Sequence, residues 1–192
     1  MEPVRLNLRG DVTAMNQVAV GMALLTVITT HVQAAPSATL EFAASLDGAS
    51  ETPPNDSPGT GAAIVEIDTA ARALTIRIDL AGLTGRTTAA HIHCCTADPG
   101  SGMIGSAVTP VTLTGFPFGV TSGNYEQRFD LTNSSTYTLN FIANFGGGST
   151  EGTEAALIAG IQAGKAYVDI HSTAFPAGEI RGFLAPAAGR PG

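Results

Sequence analysis

The most constraining feature of the sequence is the run ALTIRIDL, residues 73–80, in which apolar and polar side chains alternate. Single polar residues separate its four large apolar ones, which are Leu74, Ile76, Ile78 and Leu80. Because successive side chains of a β-strand point to opposite faces, this spacing places all four apolar residues on one face. The run therefore predicts a strand with one buried face and one polar face.

Further segments of similar length repeat this pattern along the chain: residues 38–46, 61–69, 124–131, 166–172 and 179–185. The short polar break DTAAR, residues 68–72, joins two of the runs as a hairpin. The 23 glycines and 11 prolines supply turn signals between the other runs. Together with the histidine-containing segment 89–95, the pattern predicts an all-β fold, an antiparallel β-sandwich of about seven to eight strands.

One segment, residues 150–165, predicts a short helix instead of a strand. Thr150 is a candidate N-cap and Gly164 a candidate stop, with acidic residues in the first turn. Three apolar residues form a one-sided stripe: Leu157, Ile158 and Ile161. We expect this helix to pack over one end of the sandwich.

Residues 1–34 have the features of a secretory signal peptide. Arg5 and Arg9 precede an apolar run at residues 18–28, and Val32 and Ala34 fit the small-residue rule for a cleavage site. The run is shorter than the roughly 20 residues that a membrane-spanning helix needs. We therefore expect a secreted or periplasmic protein without a membrane span, with residues 35–192 as a single domain. An uncleaved anchor is the alternative.

The charge balance disfavours two classes of partner. The chain carries 9 basic and 16 acidic residues, a net charge of −7, and the basic residues are scattered singly. Nucleic acids and anionic membrane surfaces are bound by clustered Lys and Arg. We therefore expect no nucleic-acid partner.

Two histidines occupy one face of the segment AAHIHCC, residues 89–95. Because neighbouring same-face side chains lie about 7 Å apart, the imidazoles of His91 and His93 can share one metal ion. His171 is the natural third ligand, since Val168 and Ile170 occupy the core face of its strand. This pattern predicts a copper or zinc site, with a polar face of hydrogen-bonded histidines as the alternative.

The last hairpin supports that alternative. If its turn is centred on Phe175, His171 faces Glu179 and Asp169 faces Arg181, and both are favourable cross-strand pairs. Asp169, Glu179 and Arg181 would then form a structural polar cluster. The pair of Asp169 and Arg181 would be a surface ion pair worth about 0–1 kcal/mol.

The two cysteines, Cys94 and Cys95, are adjacent. Thiols of exported proteins tend to be oxidised, so a vicinal disulfide is the leading interpretation. Adjacent Cα atoms are about 3.8 Å apart, below the usual disulfide range. Two alternatives therefore stay open: Cys95 as a soft fourth ligand for copper or zinc, and free or intermolecular thiols.

No motif in the sequence predicts catalysis. It has no Gly-x-Ser-x-Gly nucleophile elbow, no phosphate-binding loop, and no paired carboxylates in a convincing context. We therefore expect a protein that is not an enzyme.

The sequence resembles the CHRD domain family, named after chordin and found alone in many exported bacterial proteins. The resemblance rests on LDGASETPP at residues 46–54, GTGAAIVEID at 59–68, AHIH at 90–93 and AGKAYVDIHSTAFPAGEIRG at 163–182. It implies a β-sandwich, an extracellular or periplasmic location, and no established enzymatic activity. The chain departs from the family at Cys94 and Cys95, where many relatives have Gly-Pro.

Two functions remain as hypotheses. The first is an exported, non-enzymatic module that binds a protein or a surface partner, with the histidines in a structural polar cluster. The second is a copper or zinc binding protein that uses His91, His93 and His171, with Cys95 as a further candidate ligand.

Overall fold

The computed structural model describes residues 39–187. The signal-peptide prediction falls on residues 1–34 and lies outside this part of the chain. The described strands are β1 (Thr39–Asp47), β2 (Thr60–Asp68), β3 (Ala73–Ala81), β4 (Thr87–His93), β5 (Ser106–Val108), β6 (Gly123–Asp130), β7 (Tyr167–Ser172), β8 (Ile180–Phe183) and β9 (Ala185–Pro186). The helices are α1 (Leu139–Phe145), α2 (Thr150–Gln162) and a short 3-10 helix, Ser134–Thr136.

The strands form one antiparallel sheet in the order β5-β4-β7-β8-β1-β2-β3-β6, with β9 paired to β1. Strand β1 meets β8 at a single residue pair, Asp47 with Arg181, which divides the sheet into two halves. Apolar residues of both halves, among them Val65 and Ile76 on one side and Ile92 and Ile170 on the other, form one core cluster. The prediction of an all-β, sandwich-like fold is confirmed.

The segment with the strongest alternation is β3, at the centre of one half. Leu74, Ile76 and Ile78 are each at most 1% exposed, as their common face requires. The β2–β3 hairpin closes between Asp68 and Ala73, and its turn residue Arg72 adopts a positive φ of 50°. Local periodicity therefore determined this part of the fold.

The structure has two α-helices where the sequence indicated one. The N-cap of helix α2 is Ser149, one residue before the expected Thr150, and its side chain accepts a hydrogen bond from the Gly152 N–H. The additional helix, α1, spans seven residues and is capped by Thr138. A helix of about two turns is too short to show a periodic apolar stripe, which is why no sequence pattern indicated it. Within residues 39–187, no helix has the length and apolar character needed to cross a membrane.

Strands β4 and β7 are neighbours and place the histidines of both on the face opposite the core. In their register, Ala89 lies opposite His171, His91 opposite Asp169 and His93 opposite Tyr167. Asp169 in turn lies opposite Arg181 of β8, the register predicted from the hairpin. The prediction that this pair lies on the surface is wrong, since Asp169 is 5% and Arg181 4% exposed. Connecting segments cover this polar face of the sheet.

Candidate functional site

His91, His93 and His171 lie together and are called the histidine cluster below. His91 and His93 project from β4, and their ring centroids are 5.4 Å apart. His171 reaches them from β7, with its ring centroid 4.9 Å from that of His91. Each ring offers one nitrogen to a common space, and these three nitrogens lie within 4.8 Å of one another. The structure thus brings together the three histidines that the sequence singled out.

The other nitrogen of each ring is bound to a backbone carbonyl oxygen. The three pairs are His91 Nε2 with Val111 at 2.8 Å, His93 Nδ1 with Ile104 at 2.7 Å, and His171 Nδ1 with Pro176 at 2.9 Å. Because a carbonyl oxygen can only accept, each of these ring nitrogens is the donor and carries the hydrogen. In a neutral ring the remaining nitrogen then carries a lone pair.

The three lone pairs point toward one another. His91 Nδ1 and His171 Nε2 are 3.1 Å apart, and two lone pairs at that distance attract only through a proton or cation between them. His93 Nε2 is buried, and no atom of the described residues forms a hydrogen bond with it. Burial lowers the pKa of His91, and it lowers the pKa of His93 to about 4. Protonation of these two rings is therefore unfavourable, whereas a metal ion would satisfy all three nitrogens.

Asp169 adjoins the histidine cluster. Its Oδ2 atom lies 3.8 Å from His93 Nε2 and 3.7 Å from His171 Nε2. Its other oxygen, Oδ1, is directed toward Glu51, and a Cβ added at Gly178 would come within 2.9 Å of Asp169 Oδ1 and 2.8 Å of Glu51 Oε1. A glycine at this position therefore leaves room for two adjacent buried carboxyl groups, which we call the acid pair.

The acid pair shares one cation, Arg181, and both carboxyls are disfavoured as anions. Arg181 Nε lies 3.9 Å from Glu51 Oε2, while its guanidinium donates to Ser50 O, Thr52 Oγ1 and Gly102 O. Burial raises the pKa of Glu51, and the neighbouring negative charge of Asp169 raises it further. Burial also raises the pKa of Asp169. Arg181 compensates one negative charge, so a second carboxylate beside the histidines is uncompensated unless the acid pair holds a proton or another cation binds there.

Glu51 is the member of this site that sequence reasoning missed. It lies in the β1–β2 connection, where no periodicity indicates which way a side chain points. The only available signal was its place in the segment LDGASETPP, which carried the family resemblance.

Glu179 has a different environment from Asp169 and Arg181. Its carboxylate accepts hydrogen bonds from Ser57 Oγ at 2.6 Å and from the N–H groups of Thr84 and Gly85. Burial alone would raise the pKa of Glu179, but these hydrogen bonds, with one from Ser172, lower it. Glu179 thus ties the start of β8 to the connections on either side of the β2–β3 hairpin. The polar cluster expected from the sequence is divided between two places.

Cys94 and Cys95 are joined by a disulfide bond. Helix α2 packs on this disulfide at Gly160, where an added Cβ would come closer than 3.0 Å to both sulfur atoms. A disulfide sulfur is not a thiolate, so Cys95 is not available in this form as the soft ligand considered from the sequence. The candidate site consists of nitrogen and oxygen donors.

Comparison with known proteins identifies one relationship. A family model described as CHRD domain matches residues 42–184, which is most of the chain. A search of curated proteins and a search of solved structures each found no match.

Proposed function

Because the chain belongs to the CHRD domain family, we propose that it is an exported, non-enzymatic binding module that holds a copper or zinc ion at the histidine cluster. The family membership supports a binding or structural module. The bound ion goes beyond what the family membership supports, and it rests on one observation. Three imidazole lone pairs converge, while the N–H group on the other side of each ring donates to a backbone carbonyl oxygen.

That arrangement is the one metal sites use to fix their histidines. A hydrogen bond from the non-ligating nitrogen fixes the tautomer and the ring orientation, and it makes the ligating nitrogen more basic. Zinc–nitrogen bonds of about 2.0–2.1 Å in a tetrahedral site separate ligand atoms by about 3.3 Å. The 3.1 Å between His91 Nδ1 and His171 Nε2 is close to that separation. Imidazole nitrogen suits both copper and zinc.

Two observations support export. The apolar run at residues 18–28 follows two arginines and precedes a small-residue cleavage pattern. The Cys94–Cys95 disulfide fits an oxidising compartment, either extracellular or periplasmic. The proposal includes no reaction, in line with the lack of catalytic motifs in the sequence.

The test is a titration of the purified, metal-free full chain with Zn²⁺ and with Cu⁺, each in competition with a chromogenic chelator. We expect one ion per chain at micromolar concentration or tighter, and loss of binding in His91→Ala. Gln127→Ala, on the far strand β6, is the matched control and should bind like the wild type. No binding at micromolar metal, or equal binding by His91→Ala, would refute the proposed site.

A protein or surface partner is the second candidate function, and the surface of α1 favours it. Leu139 is 81% and Phe145 39% exposed, beside a shallow cavity of about 220 Å³ that lies between α1 and residues 104–106. Exposed apolar residues around a cavity are typical of contact surfaces. The double variant Leu139→Ser, Phe145→Ser should release the protein from envelope preparations of the producing cells without changing its metal affinity. Unchanged retention of the variant would exclude this surface.

A further inference from the structure

The histidine cluster supplies three ligands, and the structure also indicates a fourth. We propose that Asp169 Oδ2 completes the site, so that the chain encloses a divalent cation, Zn²⁺ in preference to Cu⁺, in a closed set of three nitrogens and one oxygen. This inference rests on the proposed metal-binding function and goes further, because it names the donor set, the charge of the ion and the absence of an open coordination position.

The distances support Asp169 as a ligand. Its Oδ2 lies 3.7 Å from His171 Nε2 and 3.8 Å from His93 Nε2, compared with the separation of about 3.3 Å between ligands of a tetrahedral zinc ion. His171 Nε2 is also 3.1 Å from His91 Nδ1. Asp169 Oδ2 thus adjoins two of the three ligating nitrogens, and the largest separation among the three nitrogens, at most 4.8 Å, needs to contract by about 1.5 Å around an ion.

Asp169 does not act here as a hydrogen-bond acceptor that orients the histidines. The N–H groups of His93 and His171 are directed to the carbonyl oxygens of Ile104 and Pro176. When the rings are neutral, Asp169 therefore faces their lone-pair side, where a carboxylate and a ring lone pair repel one another. Only a cation or a proton makes this arrangement favourable, and 3.7 Å is too long for a hydrogen bond.

The charge of the surrounding residues favours a doubly charged ion. Asp169 and Glu51 are both at most 6% exposed, and Arg181 is the buried cation beside them. The donor groups of Arg181 are directed to the segment 50–52 and to Gly102, so it compensates Glu51 more directly than Asp169. A divalent cation at Asp169 Oδ2 would replace the proton that the acid pair otherwise holds, and a buried carboxylate without full compensation is a strong ligand for such an ion.

The donor set also determines which metal is preferred and what it does. Cu⁺ is selected by soft sulfur ligands, whereas carboxylate oxygen with imidazole nitrogen suits Zn²⁺. Four protein ligands leave no position for water, which is the arrangement of structural rather than catalytic zinc. An ion in this position would join β4 to β7 across the polar face of the sheet.

The variant test compares two buried carboxylates of the same group. Asp169→Asn should lower Zn²⁺ affinity at least about 100-fold and should change Cu⁺ affinity little. Loss of a residue that only hydrogen-bonds to a metal ligand lowers metal affinity by about 10–100-fold, so a larger loss indicates a ligand. Glu51→Gln replaces the neighbouring carboxyl group without removing a ligand, and should lower Zn²⁺ affinity by less than about 10-fold. Circular dichroism and thermal unfolding show whether each variant is folded.

A second measurement uses the wild-type chain and does not depend on any variant. The protein is loaded with Co²⁺, whose visible spectrum reports coordination number, and is then titrated with azide. A closed site gives an intense tetrahedral spectrum that azide leaves unchanged. A shift on azide addition shows an exchangeable position and overturns the assignment of Asp169.

The outcomes separate this inference from the proposed function. Wild-type protein that binds no metal refutes the proposed function and the inference together. Wild-type protein that binds Zn²⁺ while Asp169→Asn binds it equally well overturns the inference alone. If Asp169→Asn does not fold, the azide titration decides.

Discussion

Replacement of Gly160 by alanine tests the contact between α2 and the vicinal disulfide. An alanine Cβ at this position would come closer than 3.0 Å to the sulfur atoms of Cys94 and Cys95, and 3.3 Å from the Cβ of Cys95. Overpacking of a well-packed interior costs about 1–3 kcal/mol. In the opposite direction, alanine in place of glycine in a helix interior gains about 1 kcal/mol. We therefore expect Gly160→Ala to lower the free energy of unfolding by up to about 2 kcal/mol.

The cause of that loss can be isolated with a double-mutant cycle. In the background Cys94→Ala, Cys95→Ala the sulfur atoms are absent, so Gly160→Ala should there be neutral or stabilising by up to about 1 kcal/mol. The coupling between the two sites should then be about 1–3 kcal/mol, measured by urea unfolding of the four proteins. Ala155→Gly, at an exposed position of the same helix, measures the intrinsic preference for alanine over glycine.

The result that would refute this reasoning is a stabilisation of similar size by Gly160→Ala in both backgrounds. It would mean that α2 does not approach the disulfide as closely as the structure shows. The urea m-value must stay constant across the four proteins, since a change in m indicates that compactness has changed as well.

Three further predictions concern the site. Burial lowers the pKa of His93 from 6.5 to about 4, so the unfolded chain binds a proton that the folded chain excludes, and the metal-free protein should lose up to about 3 kcal/mol as the pH falls through this range. Urea unfolding above and below this pH range should show a smaller loss of stability for His93→Gln than for the wild type. An equal loss would contradict the burial of His93. Burial raises the pKa of Glu51 above 4.5, so stability should fall as the pH rises from there, and Glu51→Gln should be more stable than the wild type in mildly alkaline buffer. An equal or lower thermal midpoint for Glu51→Gln would count against this. Zn²⁺ at 100 times its dissociation constant should stabilise the wild type by about 2.7 kcal/mol and leave the thermal midpoint of His91→Ala unchanged.

The parts of the fold that could be predicted are those that depend on local periodicity. The alternation in β3 and in its neighbour β2 determines which face is buried, and the break at residues 68–72 determines their antiparallel pairing. The same alternation of side chains predicted that His91 and His93 share one face of their strand and that His171 lies on the face of its own strand opposite the core. Helix α1 could not be predicted in this way, because its seven residues are held by the Thr138 cap and by packing rather than by a periodic pattern.

The environment of the site could not be predicted, because segments distant in sequence produce it. The alternation of side chains along each strand shows that Asp169 and Arg181 lie on the face opposite the core. If that face of the sheet were uncovered, both residues would be exposed. In the structure the segment that carries Glu51 and the one that carries Gly102 lie over this face and bury both residues. No local pattern indicates that a connecting segment will fold back onto a particular strand.

The same long-range covering explains why the histidine cluster depends on the complete fold. The carbonyl oxygens that fix its three rings belong to Val111, Ile104 and Pro176, which lie in three connecting segments and in none of the strands that carry the histidines. The strands alone place three imidazoles close together, but each free ring could present either nitrogen. The connections determine the tautomers, and with them the direction of the lone pairs. A metal ion would therefore find a preorganised site only after these segments have docked, and its binding energy would stabilise that docked state.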